Sequence, residues 1–453
     1  MNKLSVLPLI AVSLLFNSHI TKASNTQSLQ GSWAGELKIS EDKKMEVVFN
    51  FNNVKTDIEA TIDIPQQQQF GLTFNKVEFK NNKITLAMDM ANMKYSGQLS
   101  NKKITGLYSQ GGFSAPLDLF PVTKIFKREK KPQDVSKNVP YTIEHVNFKN
   151  PDGLHYLDGT LTYPKTGNIN TVVILLSGSG PTTRDADVFG HKVFAVLADQ
   201  LTRKNIAVLR YDDRGVGKST GNFTTATSED FASDANAAYD FLSKHHNFEN
   251  SKVGFIGHSE GGLIGAIAAA KNPLIDFFVS LAGPGVDGGQ IIIDQSYYIQ
   301  KSRGLEINKL NEDNTQQKHI LSEVRAGISE QDLTELLIKY NIPSEHAKAQ
   351  AIQMTSPWFK YFVKTDPKDF LAKLNIPMLA LNGSLDAQVL AEQNIAGIKQ
   401  SVKPNKLTTK IYNGLNHLFQ PAKTGLPEEY SKIDITFSET VSDDISRWIK
   451  ELN

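Results

Sequence analysis

The sequence predicts an α/β protein: a mostly parallel, doubly wound sheet with an inserted helical cap, preceded by a small all-β domain. Three observations carry that prediction. From Tyr141 onward, compact apolar strands alternate with amphipathic helical stretches, the pattern of a sheet covered on both faces. Residues 288–365 break this alternation with helical spacing, over a length no ordinary connection needs. Residues 29–121 show short segments of alternating hydrophobicity, separated by turns such as "KNNK" and "SNKK".

At 453 residues the chain exceeds what one hydrophobic core usually serves, so two domains are expected. Residues 1–23 have the layout of a secretory signal peptide. Lys3 precedes a mainly apolar stretch, Leu4 to Phe16, too short to span a bilayer, and Thr21-Lys22-Ala23 supplies small residues for cleavage. An exported protein, periplasmic or extracellular, is expected. Residues 24–123 make the all-β unit, a small barrel or meander running from "WAGELKI" and "MEVVFNFN" to "APLDLF". Residues 124–138, "KIFKREKKPQDVSKN", are charged, contain Pro132 and lack an apolar period, which suits a linker. Residues 139–453 then hold the α/β domain.

Within that domain "YTIEHVNFKN" and "LDGTLTYP" read as an opening antiparallel pair. The strands that follow are "TVVILL" (171–176), "IAVLRY" (206–211), "KVGFIG" (252–257), "DFFVSL" (276–281), "PMLALN" (377–382) and "TTKIY" (408–412). Helical stretches between them include "FGHKVFAVLADQLTRKN", "EDFASDANAAYDFLSKHH" and "GGLIGAIAAAKN", and "ETVSDDISRWIKEL" closes the chain. Function in such sheets gathers at the carboxyl ends of the strands.

Composition excludes several classes. The formal charge is +1, and loss of Lys3 and Lys22 with the leader makes it −1, so no electrostatic case exists for nucleic acid or an anionic membrane. The basic run Lys127-Arg128-Lys130-Lys131 has no aromatic interleaving. No later apolar run approaches membrane-spanning length, so stable membrane insertion is not expected. The chain has no cysteine, which excludes thiol nucleophiles, a cysteine-borne lipid and cysteine-ligated zinc. Its ten histidines form no H-E-x-x-H or comparable cluster, so no metal is called for. "GVGKST" has Asp212 where a phosphate loop needs glycine, and "SGSGPT" is followed by Thr183 where a dinucleotide fingerprint needs another. No cofactor is called for.

The chemistry points to "VGFIGHSEGG", residues 253–262. Gly257-His258-Ser259-Glu260-Gly261 fits G-x-S-x-G between a predicted strand and a predicted helix, the setting of an exposed nucleophile on a tight turn. A serine hydroxyl needs a base, and the base needs a carboxylate to orient it. His319 and His346 fall in the helical insertion, whereas His417 in "YNGLNHLF" follows the last strand and is the favoured base. His258 is expected to point away along the turn. Asp386 in "LALNGSLDAQV" is the favoured acid, with Asp287 in "AGPGVDGG" the rival position. The oxyanion donors expected are the backbone N–H of Glu260 and one from "LLSGSGPTTRD", with Ser179 chosen and Gly180 close behind. For Glu260, only the N–H is expected to matter, not the carboxylate.

Together "LSGSGPTTRD", "LRYDDRGVGKSTG", "GFIGHSEGG", "ALNGSLDAQV" and "GLNHLF" resemble the bacterial serine esterases of the α/β-hydrolase family, over residues 140–453. The resemblance implies Ser259 as nucleophile, Asp386 as acid and His417 as base, with the "SGSG" loop and Glu260 shaping the oxyanion hole. It implies a structural role for "DDRGVGKS". The N-terminal β unit resembles an accessory domain attached to some of these hydrolases. Ser177 stands where many relatives have histidine, which leaves the loop donor open between Ser179 and Gly180.

The expected function is carboxylic ester hydrolysis through an acyl-enzyme on a small-molecule ester, with Trp358, Phe359, Tyr361 and Phe362 walling an acyl pocket. The alternatives are a serine peptidase or amidase with the same triad, and a non-catalytic envelope binding protein.

Overall fold

The computed structural model describes residues 29–39, 44–54, 57–111, 113–123, 126–150 and 155–452; the expected leader, residues 1–23, lies outside them. The N-terminal unit consists of two antiparallel sheets. One joins β1 (Gly31–Lys38), β2 (Lys44–Val54), β3 (Asp57–Ile64) and β4 (Gln69–Thr73), with β10 (Phe120–Val122) beside β1. The other is the meander β5 (Lys76–Lys80), β6 (Lys83–Met88), β7 (Met93–Ser100), β8 (Lys103–Gln110) and β9 (Phe113–Pro116). Alternating side chains from both sheets meet in one core, where Phe49 lies edge-on to Phe74 and Tyr95. The buried Tyr95 hydroxyl is satisfied by the Leu117 carbonyl at 3.0 Å.

The second unit is built on a sheet of eight strands among the described residues. They are β11 (Tyr141–Lys149), β12 (Tyr156–Pro164), β13 (Thr171–Leu176), β16 (Ala207–Tyr211), β17 (Lys252–His258), β18 (Phe277–Leu281), β19 (Met378–Gly383) and β20 (Leu407–Tyr412). A two-stranded ribbon, β14 (Asp187–Val188) with β15 (His191–Lys192), stands apart from it. Spatial order is β11-β12-β16-β13-β17-β18-β19-β20, with β12 antiparallel to both of its neighbours and every other neighbouring pair parallel. This matches the predicted strands to within a residue at nearly every boundary; the central strands β13, β17, β18 and β19 are apolar runs buried on both faces, while the edge strands β11 and β20 alternate.

Helices cover both faces. On one lie α2 (Ser228–Leu242), α3 (Glu260–Lys271) and α10 (Ala391–Ser401), packed on Ile174, Phe255, Phe278 and Ala380. On the other lie α1 (Val193–Thr202) and α12 (Glu439–Glu451), packed on the alternate residues Val173, Ile256, Val279 and Leu381. A short helix, α11 (Pro427–Tyr430), precedes α12.

Between β18 and β19 the chain leaves the sheet to form the cap: α4 (Gly288–Ser302), α5 (Ile307–Ala326), α6 (Glu330–Lys339), α7 (Ser344–Met354) and α8 (Pro357–Lys364). A short α9 (Lys368–Leu371) leads back. The cap has its own apolar core around Leu321, Val324, Leu333, Leu337 and Val363.

The segment read as a linker behaves otherwise. Lys131 is buried, and its ammonium donates to the carbonyls of Ser431 and Ile433 at 2.9 and 2.8 Å. Gln133 Oε1 accepts the backbone N–H groups of Thr436 and Phe437 at 2.7 and 3.0 Å. Arg128 pairs with Asp134 at 2.6 Å and donates to the Gly190 carbonyl at 2.7 Å. Its polar composition serves docking onto the second domain, which composition alone does not distinguish from a solvated tether.

Candidate active site

The turn between β17 and α3 sets Ser259 at φ 56° and ψ −125°, a region that costs a non-glycine residue energy and holds only where surroundings enforce it. Enforcement comes from both sides. The Ser259 N–H donates to the Leu281 carbonyl at 2.9 Å, and the Gly262 N–H returns to the Ser259 carbonyl at 2.8 Å. A Cβ on Gly257 would stand 2.0 Å from the Gly261 carbonyl oxygen, and one on Gly261 would stand 2.2 Å from that of Leu176. The two glycines are therefore demanded by the crossing of backbone over backbone. The start of α3 leaves its first N–H groups, including that of Glu260, without intrahelical acceptors beside the hydroxyl.

Asp386 and His417 come from adjacent strand ends. Loops after β19 and β20 are laced together by Ser384 N–H to the Tyr412 carbonyl and Leu385 N–H to that of Leu415, both at 2.9 Å. Asp386 is 2 % exposed; its Oδ1 accepts the N–H groups of Gln388 and Val389 at 2.8 Å each. Its Oδ2 lies 2.8 Å from His417 Nδ1. A carboxylate can only accept, so His417 Nδ1 carries the proton and Nε2 of the neutral ring is left as an acceptor. The buried Asn416 side chain stiffens this loop by accepting from Leu418 and Gln420 N–H at 3.0 and 2.9 Å. Ser259 and His417 both line one cavity of about 730 Å³.

The rival residues are used elsewhere. Asp287 caps α4 by accepting the Gln290 N–H at 3.1 Å and pairs with Arg325. His319 meets the Tyr340 hydroxyl at 2.7 Å, and His346 stacks on Phe113. His258 does not point away as expected. Its Nε2 donates to the His417 carbonyl at 2.8 Å, and the two ring centroids lie 4.7 Å apart. Burial, with the neighbouring His417, drives the His258 pKa down to about 3, so it is neutral.

The loop after β13 crosses directly over the serine: a Cβ on Gly178 would be 3.1 Å from Ser259 Cβ. Ser179 and Gly180 follow along the same cavity wall. Asp213, in the loop after β16, braces this segment by accepting from Ser177 Oγ at 2.6 Å and Thr182 N–H at 2.9 Å. Burial pushes its carboxyl up to about 8 against the opposing effect of those two bonds. Its neighbour Asp212 accepts from Arg184 N–H, Nε and a terminal guanidinium nitrogen at 2.8, 2.9 and 2.6 Å. Nothing in the local spacing of "DDRGVGKS" announces this bracing; it depends on a strand distant in sequence lying beside β13.

Glu260 also differs from expectation. Its carboxylate is 3 % exposed and accepts from Ser228 Oγ at 2.6 Å and from Trp358 Nε1 at 2.9 and 3.0 Å. Burial pushes its pKa above the usual carboxylate range, while hydrogen bonds from Ser228, Ser179 and Trp358 oppose that rise. Trp358, Phe359 and Phe362 do line the cavity, but the Tyr361 hydroxyl turns to Glu229 at 2.8 Å. A separate, more open hollow of about 550 Å³ on the β domain holds Glu36, Glu46 and Asp118 and no nucleophile–base pair. Among the described residues no cluster of His, Asp and Glu could hold a metal ion, and no helix is long and apolar enough to cross a membrane.

A family described as "Serine aminopeptidase, S33" matches residues 190–420, a span that includes Ser259, Asp386 and His417. The chain is 26% identical over 313 residues to esterase EstD of Thermotoga maritima, covering 69% of this chain and 70% of that protein. Solved structures with a similar course include an esterase of Pyrococcus furiosus, with 15% identity, 72% and 98% of the two chains covered and a TM-score of 0.43. Another is Est1E of Butyrivibrio proteoclasticus with ferulic acid bound, at 17% identity, 68% and 98% coverage and a TM-score of 0.42. With more than half of its length matched, the chain belongs to the serine aminopeptidase S33 family of hydrolases and carries the α/β-hydrolase fold.

Proposed function

We propose that this hydrolase cleaves carboxylic esters through a Ser259–His417–Asp386 triad and an acyl-enzyme. The observation that carries the reading is the 2.8 Å bond between His417 and Asp386 at the cavity faced by the strained Ser259 turn. His417 Nε2 takes the Ser259 proton as Oγ attacks the ester carbonyl. The oxyanion draws on the Glu260 N–H and on an N–H of the Ser179–Gly180 segment. Collapse expels the alcohol, which receives the proton from His417. Water deprotonated by the same imidazole then attacks the acyl-enzyme, releasing the acid and freeing Ser259.

Cleavage of aminoacyl amides is the second reading, suggested by the family's description. Recognising a free α-amine needs an available carboxylate in the cavity. Of the carboxylates there, Glu260 is held by Ser228 and Trp358, whereas Asp187 is only loosely paired, 3.8 Å from a Lys192 ammonium that bonds Asp185 at 3.1 Å. The esterase name of the Thermotoga relative supports esters over amides. The layout of residues 1–23 supports an exported protein.

Incubation with a fluorophosphonate, followed by peptide mass analysis, tests the triad. Ser259 is expected to gain the phosphonyl group and p-nitrophenyl esters to turn over, both lost in Ser259→Ala. Intact protein that never gains mass at Ser259 sinks the reading and leaves a binding role. Faster turnover of aminoacyl amides than of short acyl esters selects the peptidase instead.

A further inference from the structure

Nothing in that mechanism uses the N-terminal β domain, yet this domain reaches the cavity. Gln69, Phe70, Gly71 and Leu72, all on β4, line the same hollow as Ser259 and His417. Phe70 and Leu72 are half-buried. Other apolar wall comes from the cap, through Ile292, Trp358 and Phe359.

The β4 edge is held in place at several points. The turn before it ends at Gln68 in the left-handed region, φ 54°, with its N–H on the Pro65 carbonyl at 3.0 Å. Asp63, 5 % exposed, accepts the Gly71 N–H at 2.7 Å and the Asn50 amide at 2.9 Å, so a buried carboxylate ties β4 to β3 and β2. Gln68 packs on Gly190 in the β14–β15 ribbon, where an added Cβ would meet it at 3.0 Å. The docked segment beginning at Arg128 holds that same ribbon. On the far side, Phe113 of β9 stacks on His346 of α7, with centroids 6.4 Å apart and planes within 9°. The β domain thus spans from the catalytic core to the cap, and ordering of these contacts fixes where Phe70 and Leu72 stand.

We propose that the β domain is a substrate-selecting wall: Phe70 and Leu72 contact the apolar end of the acyl group, favouring long acyl esters over acetates. The assignment rests on the esterase reading above. It makes Phe70 and Leu72 specificity residues, without a part in the bond-making steps.

The test uses the full chain with p-nitrophenyl acetate, butyrate and octanoate, and with fluorophosphonate labelling of Ser259 in parallel. In Phe70→Ala/Leu72→Ala, kcat/KM for octanoate is expected to fall about tenfold, mainly through KM, the order expected from losing burial of a few methylenes. Acetate turnover and Ser259 labelling should stay within about twofold of wild type. Phe70→Trp, which keeps an aromatic at this half-buried place, should also move the octanoate-to-acetate ratio and covers loss of folding in the double variant. Labelled variants whose ratio equals that of wild type overturn the proposal while the esterase reading stands. Wild-type protein that neither labels nor cleaves any ester overturns both.

Discussion

Trp358 donates its indole N–H to both carboxylate oxygens of Glu260, at 2.9 and 3.0 Å, and so ties cap helix α8 to the residue that follows the candidate nucleophile. The contact is buried on the Glu260 side, where leaving a carboxylate short of donors is costly.

Removing that donor tests the link. Trp358→Phe keeps the ring and deletes the N–H, and should destabilise the protein by about 1–3 kcal/mol. Glu260→Gln retains an acceptor for Trp358 or Ser228 and leaves the backbone N–H untouched, so substantial turnover should survive. Glu260→Ala should lower kcat further and raise hydrogen exchange in residues 357–364. Unchanged exchange there would argue that the cap is anchored by other contacts.

Asp386→Asn places an amide where Oδ2 accepts from His417 Nδ1. The amide donates, which drives the imidazole proton to Nε2, where the base must accept. A fall in kcat of about four orders of magnitude is expected with the fold retained. Activity within about tenfold of wild type would remove Asp386 from the triad.

The His258 Nε2–H holds the His417 carbonyl at 2.8 Å, which under the proposed mechanism makes His258 a positioning residue. His258→Gln can keep a donor there, whereas His258→Phe cannot. The Phe variant should lose about fivefold in kcat, the scale of one neutral hydrogen bond, and the Gln variant should recover part of it. With a wild-type His258 pKa near 3, neither change should alter the shape of the pH–rate profile above pH 5 or so. A displaced acid limb in either variant would show that His258 titrates with the reaction.

Asp213 makes a pH-dependent contribution to stability. Its carboxyl is raised to about 8 in the folded protein, from an ordinary value near 3.8. The folded state therefore binds this proton more tightly, so its contribution is full below pH 3.8 and is lost as pH rises through about 8. Asp213→Asn removes the titration, so thermal melts from pH 4 to 9 should fall less steeply with pH than those of wild type. Parallel Tm curves would exclude a buried, protonated Asp213.

The strands and the turn at Ser259 were legible in the sequence because their signals are largely local. A run such as Thr171–Leu176 needs no partner to declare itself buried, and Gly257 is required by the Gly261 carbonyl of its own turn, although Gly261 answers to the Leu176 carbonyl at the end of β13. The order of Ser259, Asp386 and His417 was also readable, since each follows a strand at the sheet's carboxyl edge. The insertion at 288–365 stood out through its helical spacing and its length between two strands.

Other features were decided only when distant segments met. A charged stretch reads the same whether Lys131 faces water or the Ser431 and Ile433 carbonyls. His258 beside His417, Asp213 beneath the Ser177–Thr182 loop and Glu260 under Trp358 each need residues 31 to 159 positions apart to pack together. The wall supplied by Phe70 and Leu72 lies further still from Ser259 along the chain, on a domain whose alternating pattern describes only its own core. Sequence periodicity reports which side of an element is buried, and so it determined the strands and helices, while the glycines around Ser259 marked its turn. It carries no information on which foreign surface an exposed edge will meet, because that depends on docking geometry, and so the tertiary structure alone decided how the cavity is enclosed.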